Sequence, residues 1–343
     1  MKRNVLLAAL ALAIVGLGAL GLLEPDSREQ VQATTEPAAA LQPVSVMAAP
    51  QVKPPPVFPV TFTQADTDFI NALREQFKSR IQSKYAQIKL IERLIAYLMQ
   101  QYPDDWLLRL HGFLVQLFPE LAGQLYAQFQ KLQHYNAWLR ENRETLMRMS
   151  PQERRAALLA ARQTAFGADA AEIWAAEART AQLRDALAAL DTAEGVALPD
   201  KLSSYIAAIN AAYGEQAPEF IQARQTELMN SFLAVDSVQA DLRALPAAER
   251  RAALRELRRG MGMDEAALQR WDELDRSRDA AWDSGQRYMA ERERIQKEYD
   301  GEAEAGELRK LREQSFGDEA EIIQAEEESG FYRYGHQRRY GRE

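Results

Sequence analysis

Phe69-Ile70-Asn71-Ala72-Leu73-Arg74-Glu75-Gln76-Phe77-Lys78-Ser79-Arg80-Ile81 decides the fold class of this chain. Phe69, Leu73, Phe77 and Ile81 recur at helical spacing, and the stripe runs on through Tyr85 and Ile88 with Arg74, Lys78 and Lys84 off it. A period near one helical turn predicts an amphipathic helix with its apolar face on a core, capped by Asp66 or Thr67. Working outward, Leu90 to Met99 predicts a second helix that ends at Tyr102-Pro103. Asp104-Asp105 caps a third from Trp106, and Leu121 to Leu139 supplies a fourth. Trp106, Trp138 and the phenylalanines are expected to form the core of this small bundle.

Proline placement extends the helical reading to the rest of the chain. Eight of the 14 prolines lie between Pro25 and Pro59, leaving six for the residues from Phe62 onward. Proline removes a backbone donor and clashes inside a helix, so a long stretch nearly free of it, and rich in Ala, Leu, Glu, Gln and Arg, is expected to be all-α.

The N-terminus reads as a membrane signal. Lys2 and Arg3 precede Val5 to Leu23, a run without a charged residue that is long enough as a helix to span a hydrocarbon core of about 30 Å. The flanking charges predict a cytoplasmic N-terminus and a body outside the cytoplasm. A cleaved signal peptide would need a shorter apolar region and a small-x-small site, whereas here the run meets Glu24-Pro25, so an uncleaved anchor is expected. Gly16-Leu-Gly18-Ala-Leu-Gly21 matches the dinucleotide fingerprint by letter only, because no strand precedes it. Residues 24–61, with Pro54-Pro55-Pro56, have no apolar period and are expected to form a disordered Ala/Pro-rich tether.

Composition excludes several kinds of chemistry. Fifty acidic residues against 42 basic ones give a net charge of −8, which disfavours a nucleic-acid partner. Cysteine is absent, and His111, His134 and His336 have no second ligand at convincing spacing, so neither a metal nor a cofactor is expected. No nucleophile elbow, paired-histidine zinc motif, phosphate loop or EF-hand spacing occurs, and no catalytic residue is assigned.

Beyond Met149 a helix-turn-helix pattern recurs. Ser150-Pro151-Gln152-Glu153 leads to Phe166-Gly167-Ala168-Asp169, Leu245-Pro246 leads to Gly262-Met263-Asp264, and Leu308-Arg309 leads to Phe316-Gly317-Asp318-Glu319. The spacing between copies is irregular, which argues against a strict solenoid. The chain closes with Phe331-Tyr332-Arg333-Tyr334, His336 and Arg338-Arg339-Tyr340-Gly341-Arg342, expected to be a flexible Arg/aromatic tail.

The paired segments resemble the lipase chaperones, the lipase-specific foldases. The resemblance is carried by Arg162-Gln-Thr-Ala-Phe166-Gly167 with Trp174, by Leu274-Asp275-Arg276, Trp282, Tyr288 and Ala290-Glu291-Arg292-Glu293-Arg294-Ile295, and by Leu311-Arg312-Glu313-Gln314-Ser315-Phe316-Gly317-Asp318-Glu319-Ala320. It spans residues 125–328 together with the plan of anchor, tether and helical body. It implies an anchor at 1–23, a tether at 24–61, a first small helical domain at 62–149, an extended helical domain at 150–263, a second small domain at 264–330 and the tail at 331–343.

It also implies a single-pass protein of the bacterial inner membrane whose periplasmic body wraps a secreted lipase or related hydrolase as a steric chaperone, without nucleotide hydrolysis. The secretion machinery would be a further partner. The family's Arg-x-x-Phe-Asp-Tyr signature maps onto Arg74 and Phe77, which the resemblance makes partner-binding, while Lys78 and Ser79 stand where the family has Asp and Tyr. The alternative class is a helical scaffold or interaction protein of the cell envelope.

Overall fold

The computed structural model describes residues 60–193 and 195–342, and every regular element among them is helical. Val5–Leu23 and the proline-rich tether up to residue 59 lie outside the described residues. Among those described, no helix is long and apolar enough to cross a membrane. The chain divides into two compact units at Ala175/Ala176.

The first unit contains α1 (Gln64–Phe77), α2 (Lys84–Gln101), α3 (Trp106–Leu117), α4 (Ala122–Glu141), α5 (Arg143–Arg148), α6 (Pro151–Phe166) and α7 (Asp169–Ile173). Leu90, Ile91, Leu94, Leu98, Leu110, Phe113, Leu114 and Leu125 form the fully buried centre where α2, α3 and α4 meet. Burying each such leucine or phenylalanine contributes about 1.5–3 kcal/mol, so this layer dominates the unit's stability. Trp138 joins the core, and the partly buried Trp106 packs edge-on to Phe129.

Three expectations change here. The stripe from Phe69 to Ile88 is not one helix, because α1 stops at Phe77 and α2 restarts after Ser83, whose side chain caps it. Ile81 is buried in the turn between them, so the apolar spacing survives the break. The cap of α1 is Thr63, with Asp66 as the reciprocal partner of a capping box. The boundary expected at Met149 moves to Ala175, because Leu158, Ala161, Ala165, Phe166, Ala170 and Ile173 complete the first core. The Ser150–Glu153 capping box that starts α6 therefore opens the last hairpin of this unit.

The second unit contains α8 (Ala175–Asp191), α9 (Leu198–Tyr213), α10 (Ala217–Leu233), α11 (Asp236–Ala244), α12 (Ala247–Gly260), α13 (Glu265–Glu298), α14 (Gly301–Phe316) and α15 (Ala320–Glu328). Tyr205, Ile209, Phe232, Leu233, Val238 and Leu242 centre its main core, and Tyr288, Ile323 and Tyr332 form a smaller cluster. Arg258 and Asp275, both buried, link α12 to α13 through two hydrogen bonds of 2.5 and 3.2 Å, with the guanidinium also 4.4 Å from the Trp271 ring centroid.

Residues 331–342 depart most from expectation. The tail expected to be flexible is packed along this unit: Tyr332, Arg338 and Gly341 are buried, and Tyr340 bonds the side chain of Gln239. Aromatic rings separated by small residues fit notches in the helices, which no periodicity announces.

Candidate partner-binding site

Asp66 fixes the position of α1. It is fully buried and accepts hydrogen bonds from the Thr63 backbone N–H and hydroxyl, both at 2.8 Å, from Tyr97 at 2.7 Å and from Tyr102 at 2.6 Å. Burial pushes its carboxyl up. The hydrogen bonds from Tyr102, Thr63 and Tyr97 outweigh that and hold it below the usual carboxylate range. Burial and the bond to Asp66 raise both phenols in turn. A carboxylate satisfied four times pins the start of α1 to α2 and to the turn after it.

Arg74, one of the two residues carried over from the family signature, spends its guanidinium inside the unit. It donates to the Leu117 carbonyl at 3.1 Å, the Gln116 carbonyl at 2.5 Å and the Asn71 amide oxygen at 3.0 Å, capping the C-terminus of α3. Phe77 is 1% exposed and belongs to the core. Within the unit, then, Arg74 anchors α3 and Phe77 closes the end of α1.

Phe77 also lines an open groove of about 200 Å³ with Gln76, Arg80, Tyr85, Ala86, Lys89 and Arg93. The Arg80 guanidinium lies 4.8 Å from the Phe77 ring centroid, and Lys89 lies 5.7 Å from that of Tyr85, which is 46% exposed. Lys89 pairs with Glu92 at 2.8 Å, while among the described residues Arg93 bonds only the neutral Gln76 and Arg80 meets no carboxylate. Cations over an aromatic floor, without enough acid to neutralise them, suit the carboxylates of an approaching polypeptide. Sequence reading missed Arg80, Tyr85, Lys89 and Arg93. The available signal was local charge, six basic residues against two acidic between positions 74 and 93 in a chain that is acidic overall.

The repeated corner is also visible in the backbone. Gly167, Gly214 and Gly317 each end a helix at φ near 57° with ψ between −120° and −135°, a region open essentially to glycine alone. Each follows an aromatic residue, Phe166, Tyr213 or Phe316. The sequence repeat placed its second copy at Gly262, but the matching corner is Gly214, since Gly262 sits in a turn of different geometry.

Two of these corners share a further feature, an arginine four residues before the aromatic. Arg162 is buried, receives the Trp174 ring 4.7 Å away and donates to the Tyr135 hydroxyl at 3.1 Å. Arg312 donates to Glu327 at 3.0 Å, and Glu327 also takes the Tyr288 hydroxyl at 2.8 Å. Burial, reinforced by that bond, pushes the Tyr288 phenol up to about 12. In both hairpins the arginine on the first helix thus holds the chain beyond the corner.

Comparison with protein-family models, with curated proteins and with solved structures returned no match for this chain. What the fold and the groove define is an all-α class with two helical units, the first carrying an open groove with cations over an aromatic floor.

Proposed function

We propose that this chain is a membrane-anchored steric chaperone of the bacterial periplasm that wraps a secreted lipase-like client and assists its folding and export without nucleotide hydrolysis. The observation that carries the reading is the shared construction of the Arg162–Phe166–Gly167 and Arg312–Phe316–Gly317 corners, which lie in the segments that resemble the lipase chaperones. The apolar run Val5–Leu23 and the proline-rich tether support the location.

Such a protein accelerates folding only if it binds the client's folding transition state more tightly than the trapped intermediate. The basic groove around Arg80 and Arg93 supplies steering toward an acidic client surface, and the exposed Tyr85 supplies an apolar contact. Arg74 and Phe77 serve this site from behind, by fixing α3 and the groove floor.

The test is refolding of a denatured secreted lipase with the full chain in neutral detergent and no nucleotide. Recovery of lipase activity several-fold above the unassisted control is expected, reduced by Arg80→Gln. A lipase that recovers equally well alone would overturn the reading.

A further inference from the structure

We infer that the cleft between α11, α12 and α13 is a recognition site for an extended segment in which an arginine precedes an aromatic–glycine pair, and that the chain's own Arg338–Gly341 occupies it as a releasable latch. This inference does not rest on the chaperone reading.

The cleft reads backbone as well as side chains. Gln239, 1% exposed, donates from Nε2 to the Tyr340 carbonyl at 3.0 Å and to the Leu233 carbonyl at 2.7 Å, and its Oε1 accepts the Tyr340 N–H at 2.8 Å. One buried amide thus satisfies both backbone groups of a single guest residue, as a neighbouring strand would. Arg338 pairs with Asp279 at 2.8 Å, its guanidinium 5.3 Å from the Trp282 ring centroid and 4.7 Å from that of Tyr340. Arg250 covers the same tyrosine at 4.0 Å, and Arg339 reaches the Ala234 carbonyl and Asp236. Gly341 is buried at φ 77°, a conformation that side chains rarely adopt, and a Cβ there would press on Leu233 Cδ1 and Leu254 Cδ2 at 2.9 Å, so glycine is strongly favoured.

Two features make this plug releasable. Gly335, His336 and Gln337 are exposed and separate it from the foothold of Tyr332 and Tyr334, so the plug can leave without moving any helix. The host has partners of its own beside the plug: Asp279 also pairs with Arg251 at 2.9 Å, and Val238, Leu242, Leu254 and Leu257 belong to the main core. Because the tail is tethered, its effective concentration is of millimolar order, so a free segment competes only when the latch is weakened.

The test uses the chain ending at Gln337 beside the intact chain, both in neutral detergent, with a fluorescein-labelled peptide of residues 336–343 followed by anisotropy. Saturable binding to the shortened chain, at least tenfold weaker binding to the intact chain, and loss of binding with Asp279→Asn or with Arg338→Gln in the peptide are expected. Intact chain carrying Arg338→Gln and Tyr340→Ala should admit the peptide with intermediate affinity. A shortened chain that melts cooperatively yet ignores the peptide would overturn the inference. So would a shortened chain that cannot fold, because the plug would then be part of the core.

Discussion

Gly285, within the 34-residue α13, faces the ring of Tyr334 so closely that a Cβ on the glycine would stand 2.3 Å from the ring's Cγ. Glycine inside a helix costs about 0.5–1 kcal/mol relative to alanine, so its place here is explained by the tail it receives. Tyr334 also stacks near Phe316 at 6.0 Å, and its carbonyl accepts from Gln286 at 2.7 Å.

Gly285→Ala is therefore expected to destabilise the intact chain by about 1–2 kcal/mol through the displaced ring. In a Tyr334→Ala background the same change should stabilise by about 0.5–1 kcal/mol, since only helix propensity remains. Urea unfolding of the four proteins as a double-mutant cycle checks the sign reversal, and equal effects in both backgrounds would sink the account.

Asp66→Asn is expected to cost about 2–4 kcal/mol at neutral pH, because a buried acceptor of three hydroxyls and an N–H loses its charge. The folded-state pKa of Asp66 lies below the unfolded value, so its contribution is full above the usual carboxylate range and fades as pH falls through the folded pKa. Denaturant titrations from pH 7 down to pH 2 should show the gap between wild type and variant closing at the acid end. A gap independent of pH would contradict the assignment.

Gly167→Ala and Gly317→Ala are each expected to lose about 1–3 kcal/mol, because φ near 57° with strongly negative ψ strains any residue with a Cβ. Gly306 lies inside α14 with open space around it, and Gly306→Ala should gain about 0.5–1 kcal/mol. Thermal melts of the three variants separate backbone strain from a general intolerance of substitution.

Asp275→Asn leaves the Arg258 guanidinium buried without its counter-charge, an expected loss of about 3–5 kcal/mol. Replacing both partners by apolar residues, Arg258→Met with Asp275→Leu, should cost much less. If the single and double variants unfold at the same urea concentration, the pair is not what joins α12 to α13.

Arg74→Lys should lower stability by about 1 kcal/mol, since an ammonium cannot reproduce the guanidinium fork that holds two carbonyls of α3. Arg80→Gln should stay within about 0.5 kcal/mol of wild type yet slow association with a client, most visibly at low salt. Stopped-flow association at two ionic strengths, set beside the melts, tells the positioning arginine from the contacting one.

Little of the candidate site was legible: of the residues that line the groove, only Phe77 was singled out from the sequence as partner-binding. Arg74 and Phe77 were found by resemblance, but their chemistry was not, because Arg74 acts on carbonyls 42 and 43 residues away and no local pattern encodes that meeting. The break after Phe77 was hidden because Ile81 keeps helical spacing in a turn, and it is this break that leaves Tyr85 exposed beside the basic groove. Asp66 read as a possible cap, whereas the two tyrosines that make it a buried anchor lie 31 and 36 positions on.

By itself the sequence determined the helices, since an apolar period of about 3.6 residues, proline scarcity, the Ser150-Pro151 start and the glycines after Phe166 and Phe316 all act within a few residues of one another. Only the tertiary structure decided which core each helix joins, so that α6 and α7 complete the first unit, and what becomes of the tail. A run of arginines, aromatics and glycines carries no period. It becomes ordered through Gly285, Gln239 and Asp279, roughly 50 to 100 residues upstream, and such contacts exist only once the helices that hold those residues have packed.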